Sequence, residues 1–134
     1  MAAIRLIDLS KSHGASRSVD GIDVTIGEGE FFSLLGPSGC GKSTTLRMIA
    51  GFVTPSSGRI LIGEDDVTLT PPERRGIGIV FQNYAIFPHM SVADNIAFGL
   101  RLRRMPKAEI TRRVTDALKQ VGLVGFGDRY QRQL

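Results

Sequence analysis

The sequence predicts an α/β protein, and two observations carry the expectation. The first two thirds reads as short apolar or alternating runs cut by glycines, whereas the last third places apolar residues at helical spacing. Between them an almost continuously apolar run, FFSLL, meets the glycine-rich loop GPSGCGKS and then a helical pattern, which makes a strand, loop and helix in series.

Taken in order, Ile4 to Leu9 and Val19 to Ile26 show partial period-2 alternation with glycine-containing breaks, so both read as strands with one wet face. Phe31 to Leu35 is apolar throughout apart from Ser33, as a strand buried on both faces should be. Lys42 to Ala50 carries Leu46, Ile49 and Ala50 at helical spacing and stops at Gly51, a natural C-terminal cap. Arg59 to Ile62 and Gly76 to Phe81 read as further short strands. EDDVTLTPPERR between them is loop because of Pro71 and Pro72. Ser91 with Asp94 three residues later has the spacing of a capping box and opens a helix through Ala97 toward Leu100. Ile110, Val114, Ala117, Leu118 and Val121 form an apolar stripe that ends before Gly122, a second helix. There is no internal repeat and no low-complexity segment.

Composition excludes several classes. With 134 residues, 42% hydrophobic and 22% charged, the chain is an ordinary globular length, too apolar for a disordered polymer. No run approaches the roughly 18 apolar residues that span a bilayer. The start, MAAIRLIDLSKSHG, is broken by Arg5 and Asp8 and lacks a secretory h-region, so a cytoplasmic location is expected. Cys40 is the only cysteine, which precludes an internal disulfide or a multi-cysteine zinc site and suits a reducing compartment. Glycine is the outlier, 16 residues of 134, or about 12% against a usual value of about 7%. Something in this fold needs bare backbone.

The net charge of +4 is unevenly spread: six basic against eight acidic residues through Asp66, then eleven against five from Val67 onward. Arg101, Arg103, Arg104, Lys107, Arg112 and Arg113 fall within thirteen residues. No aromatic residue interleaves them to stack on bases, so a solvated helix face is the reading and nucleic acid is not an expected partner.

Gly36-Pro37-Ser38-Gly39-Cys40-Gly41-Lys42-Ser43 fits the phosphate-binding pattern GxxxxGK[ST], between the strand and helix that the motif requires. A polyphosphate is too large and too charged for a few side chains. The loop instead turns consecutive backbone N–H groups inward at a helix N-terminus and adds the positive end of its dipole. Lys42 is expected to place its ammonium on the β and γ phosphates, Ser43 to give one oxygen to Mg²⁺, and Thr44 to reach the α phosphate. Cys40 occupies a free position of the motif, either as a small tolerated residue or as a thiol activated by the helix terminus and Lys42.

The stretches GEFFSLLGPSGCGKSTTLRMIAGF and SSGRILIGEDDVTLTPPERRGIGIVFQNYAIFPHMSVADNIAFGL resemble the ATP-binding-cassette (ABC) transporter ATPases, particularly subunits that power bacterial solute importers. The resemblance runs from about Ile4 to Leu134. It implies the amino-terminal half of an ABC ATPase: an antiparallel β subdomain plus the start of the RecA-like P-loop NTPase core and of the helical subdomain. Residues 1–88 would hold the ATP-binding core portion, with Walker A and Q-loop, and 89–134 the beginning of the helical subdomain. By the same resemblance Gln82 is the Q-loop glutamine, which orients the attacking water and contacts Mg²⁺, so Lys42 and Gln82 are the catalytic expectations. Tyr84, Ala85, Ile86, Phe87 and Pro88 would receive membrane-spanning permease subunits, with core packing as the plain alternative. His13 falls where the family has an adenine-stacking aromatic, and it is otherwise a turn histidine beside Gly14. His89 is given no catalytic role.

The resemblance implies ATP and Mg²⁺ as cofactors, a second ATPase subunit in a head-to-tail dimer, and a periplasmic or lipid-anchored solute-binding protein in the complex. It also implies a peripheral location on the cytoplasmic face of the membrane. The sequence has no apolar run ending in Asp-Glu, the Walker B pattern, and no LSGGQ signature. Tyr130-Gln131-Arg132-Gln133-Leu134 is a run that precedes SGGQ in the family, so the expectation is an amino-terminal fragment that does not hydrolyse ATP alone. Resemblance to polyamine-, sugar- and iron-type importers is comparable, and the solute is left open.

Overall fold

The computed structural model describes every residue except Met1, Ala15 and Asn83. Four strands, β1 (Ile4–His13), β2 (Ser16–Ile26), β3 (Ser57–Ile62) and the two-residue β4 (Asp65–Asp66), accompany helices α1 (Lys42–Ala50), α2 (Val92–Leu102) and α3 (Lys107–Gln120). Short 3₁₀ turns lie at Pro72–Arg74 and Gln131–Gln133. The chain divides into two compact units, Met1–Ile79 and Val80–Leu134.

In the first unit the strands make one antiparallel sheet in the order β2-β1-β3-β4. β1 is central, with Ile4 opposite Ile26 of β2 and Ile62 of β3. Its sequence alternates imperfectly because it is bulged. Leu6 and Leu9 would face opposite sides of a regular strand, yet both are buried. Asp8 takes a left-handed conformation between them (φ 45°), the register shifts there, and the Asp8 N–H is satisfied by Asp23 Oδ1 at 3.0 Å. Leu6, Leu9, Val19, Ile60 and Val67 pack with Met48 and Ile49 of α1. The hairpin is longer than expected, since Lys11, Ser12 and His13 pair with Val19, Arg17 and Ser16. Those extra residues are mainly polar, so periodicity carried no sign of them.

Two expected strands do not form. Phe31 to Leu35 and Gly76 to Phe81 have no sheet pairing among the described residues, and Phe31, Leu35 and Val80 are 94%, 90% and 87% exposed. Apolar character predicts that a segment wants a partner, but a ladder exists only where a neighbouring strand supplies one. α1 has the expected bounds and ends as expected: Gly51 is left-handed (φ 86°), its N–H meets the Met48 carbonyl at 3.1 Å, and the Phe52 N–H meets that of Arg47 at 2.9 Å.

The second unit is an α-helical pair. The Ser91 hydroxyl caps α2 by accepting the Asp94 N–H at 3.1 Å and donates to the Asp94 carboxylate at 2.8 Å. α3 starts at Lys107, one turn before its apolar stripe. Ala97, Val114 and Leu118 form the core, closed by Val92, Ala93, Ile96, Ile110 and Leu123. Among the described residues no helix is long and apolar enough to cross a membrane.

Candidate functional site

α1 begins without a conventional cap. Its N-cap is Gly41, no side chain bonds the first-turn amides, and no acidic residue lies in that turn, so the positive end of the helix faces the preceding loop uncompensated. Gly41 is required here twice over. It is left-handed (φ 91°), and a Cβ would run into the Ser18 carbonyl oxygen of β2. The loop therefore lies directly against the sheet. Thr45, buried inside this turn, gives its N–H and hydroxyl to the Gly41 carbonyl at 2.8 and 3.0 Å.

Lys42 folds back across the loop. Its Nζ donates to the Gly36 and Pro37 carbonyls at 2.7 and 2.6 Å and to Cys40 Sγ at 3.4 Å. The ammonium is thus held over the mouth of the loop, and its donors rest on weak neutral acceptors. A cavity of about 310 Å³ is lined by Ser38, Gly39, Gly41, Lys42, Ser43 and Thr44, the expected cradle. Cys40 does not line it. The thiol faces an adjoining cavity of about 430 Å³ with Arg17, Ser18 and Asp20 of β2, and it sits in space that Gly36 leaves by lacking a Cβ.

These features fit a polyphosphate: free amides at a helix terminus, an ammonium resting on neutral acceptors, one hydroxyl at Ser43 and another at Thr44, and no carboxylate in the first turn to repel an anion. Among the described residues no cluster of three His, Cys, Asp or Glu side chains could hold a metal by itself. A Mg²⁺ ion at this site would draw on Ser43 together with phosphate and water oxygens.

The remaining expected residues lie elsewhere. His13 is exposed at the end of β1, paired with Ser16, and lines neither cavity. Gln82 is exposed in a turn at the head of the second unit, where the Tyr84 N–H bonds the Phe81 carbonyl at 2.9 Å. Tyr84 and Ala85 are both left-handed (φ 60° and 48°). Tyr84, Ala85, Ile86 and Phe87 line a groove of about 490 Å³ with residues of α2, α3 and the chain end, while Pro88 is exposed beside it. Asn95 holds this segment in place: its amide accepts from the Phe87 N–H at 2.9 Å and donates to the Phe87 and Ser91 carbonyls at 3.1 and 2.9 Å. The Phe87 ring packs on Phe98 at 4.6 Å. Sequence reasoning passed over Asn95, since a lone asparagine in a helical pattern carries no signal.

A family model described as ABC transporter matches residues 19–134. The spermidine/putrescine import ATP-binding protein PotA of Marinobacter nauticus is 52% identical over 131 residues, covering 98% of this chain and 35% of the relative. The "Putative 2-aminoethylphosphonate import ATP-binding protein PhnT" of Salmonella paratyphi A is 57% identical over 113 residues, 84% of this chain and 31% of the relative. The chain therefore spans about a third of the length of the curated relatives it matches. Among solved structures, the ATP-binding cassette MJ0796, a dimer in a post-hydrolysis state bound to ADP and Pi, superposes with a TM-score of 0.84 at 28% identity, over 98% of this chain and 62% of that one. MJ1267, an ATP-binding cassette of an ABC transporter, gives 0.82 at 26% identity, over 100% of this chain and 59% of that one.

Proposed function

The chain belongs to the ABC transporter family, and from that premise we propose that it is the nucleotide-binding front of an importer's ATP-binding subunit, serving to couple Mg-ATP binding and hydrolysis to solute uptake. The observation that carries this reading is the Lys42 ammonium, held across the Gly36 and Pro37 carbonyls at the uncapped end of α1. Bound ATP supplies a β–γ phosphoanhydride whose hydrolysis releases the energy of transport.

The chain's own groups divide that work. Lys42 would turn its ammonium from the neutral Gly36 and Pro37 carbonyls to β and γ phosphate oxygens, a gain because the acceptors there are anions and the cation is then paired with opposite charge. Backbone amides of the loop and first turn neutralise the rest of the polyphosphate, Thr44 reaches the α phosphate, and Ser43 offers an oxygen to Mg²⁺. Gln82 orients the attacking water, a task suited to a neutral amide that adds no charge beside the γ phosphate. His13 stacks on the adenine.

Mg-ATP titration calorimetry on the chain and on Lys42→Ala, with thermal melting as a folding control, tests this reading. Saturable binding that the variant loses is the expected outcome. No binding by a cooperatively melting chain would refute it. Alone, the chain is expected to bind without meaningful turnover, since it has no apolar run ending in Asp-Glu to polarise water. A rate matching a complete transporter ATPase, lost in Lys42→Ala, would overturn that second statement.

Tyr84, Ala85, Ile86, Phe87 and Pro88 are proposed to receive the permease, supported by the exposure of Tyr84 and Ile86 (76% and 43%) on a segment pinned by Asn95. Ile86→Asp should then abolish co-purification with the permease subunits and leave Mg-ATP affinity unchanged. Intact co-purification would remove the segment from the interface. The complete protein is proposed to work on the cytoplasmic face of the membrane with a second copy in a head-to-tail dimer and with a solute-binding protein. Relatives named for a polyamine and for a phosphonate share this segment at 52% and 57% identity. That likeness to relatives named for different solutes supports the reading that solute choice lies outside this segment.

A further inference from the structure

Arg75 is 6% exposed, and no carboxylate among the described residues pairs with it. Its guanidinium is satisfied by four carbonyls. Nη1 donates to Met48 and Ile49 at 2.8 and 2.9 Å, Nε to Thr70 at 2.7 Å, and Nη2 to Thr68 at 3.1 Å. Burial lowers its pKa from the ordinary arginine value, yet a guanidinium remains charged near neutral pH. A buried cation without an anion is stable only where dipoles replace one. Met48 and Ile49 lie at the C-terminal turn of α1, the negative end of the helix whose positive end is the phosphate cradle.

The chain is shaped around this contact. Gly51 ends α1 in the left-handed region, and a Cβ there would stand 2.6 Å from Arg75 Nε and 3.0 Å from Cζ. The loop that carries Thr68 and Thr70 is itself fastened to the sheet, because the Ile60 N–H of β3 donates to Thr68 Oγ1 at 2.9 Å. α1 is thus held at both ends, by Gly41 against β2 and by Arg75 against the 68–75 loop. With nine residues it is too short to be stable or to keep its direction unaided.

We propose that Arg75 is a positioning residue for the phosphate cradle: by locking the last turn of α1 to the 68–75 loop, it sets the direction in which the first-turn amides and Lys42 point. The proposal rests on the reading of that cradle as a Mg-ATP site. Arg75→Lys keeps the charge and loses the fork, so it cannot span four carbonyls.

In the chain carrying Arg75→Lys, held well below its melting midpoint, Mg-ATP should bind about tenfold more weakly than in the wild type. The Thr45 amide, bonded to Gly41 in the first turn, should exchange its hydrogen about fivefold faster. A lower melting midpoint with unchanged affinity and unchanged Thr45 exchange would overturn the proposal, because Arg75 would then only stabilise its own surroundings. Should Arg75→Lys fail to fold, Gly51→Ala pushes a methyl under the guanidinium without removing it and must produce the same two changes. Their absence in a folded Gly51→Ala chain overturns the proposal too. A wild-type chain that melts cooperatively and binds no Mg-ATP refutes the functional reading instead, and Thr45 exchange in the variants still decides the role of Arg75.

Discussion

At the scale of the residue, the loop between Gly36 and Lys42 depends on what is missing from side chains as much as on what is present. The Ser18 carbonyl occupies the space of a Gly41 Cβ, and Cys40 Sγ sits 2.8 Å from where a Gly36 Cβ would be. That crowding has a consequence for Cys40, whose thiol is exposed and within 3.4 Å of Lys42 Nζ but points away from the cradle itself. Alkylation with N-ethylmaleimide should block Mg-ATP binding by forcing Lys42 and the loop aside. If a fully modified chain titrates with the affinity of the untreated one, the thiol is further from the bound nucleotide than this geometry requires. The glycine pattern and Lys42 were legible in the sequence because the motif fixes their spacing. Arg75 was not, since in the run Glu73-Arg74-Arg75 nothing distinguishes the buried arginine from its exposed neighbour.

At the scale of the element, three residues of the basic run, Arg101, Arg112 and Arg113, form local pairs. Glu109 in the first turn of α3 accepts from Arg112 at 2.8 and 3.0 Å and from Arg113 at 2.7 Å. Arg101 reaches back to Asp94 at 2.7 Å. The hydrogen bonds from Arg112, then those from Arg113, hold the Glu109 carboxyl well below its usual 4.5, at about 2. A carboxyl whose folded pKa is depressed stabilises the fold above its unfolded value. The contribution of Glu109 is therefore full above about pH 4.5 and is lost as pH falls toward about 2. Carboxyl-carbon NMR should give Glu109 a midpoint near the lower value, and Glu109→Gln should remove that step from the acid unfolding of α3. A midpoint at the ordinary glutamate value would mean that the arginine fork does not persist in solution. The helices were legible from period and caps, whereas the far ends of β1 and β2 were not, because hairpin pairing extended them through polar residues.

At the scale of the whole molecule, each unit has its own core, and apolar surface remains outside both. Phe31, Leu35, Leu69 and Val80 are all more than 80% exposed. Beside Phe32 and Leu34, an apolar cavity of about 390 Å³ runs along β1, β2 and α1. Exposed apolar surface on this scale drives association. Sedimentation velocity on the chain should show concentration-dependent self-association, and Phe31→Ser with Leu35→Lys should reduce it without lowering the melting midpoint, since neither side chain packs in the core. A chain that stays monomeric at high concentration would show that these residues find cover among the described ones.

By itself the sequence determined what depends on spacing along the chain: the phosphate loop, the bounds of α1, the cap of α2, the apolar stripe of α3 and membership of a family with a distinctive motif order. Such features are local, so a few residues specify them wherever the rest of the chain goes. Only the tertiary structure decided what depends on partners distant in sequence. The bulge at Asp8 brings Leu6 and Leu9 to one core, and Phe31 to Leu35 are unpaired because no neighbouring strand lies beside them among the described residues. Arg75 lies 26 and 27 residues from the carbonyls of Ile49 and Met48 that it binds. A buried charge has meaning only through the groups that surround it, and those are chosen by packing.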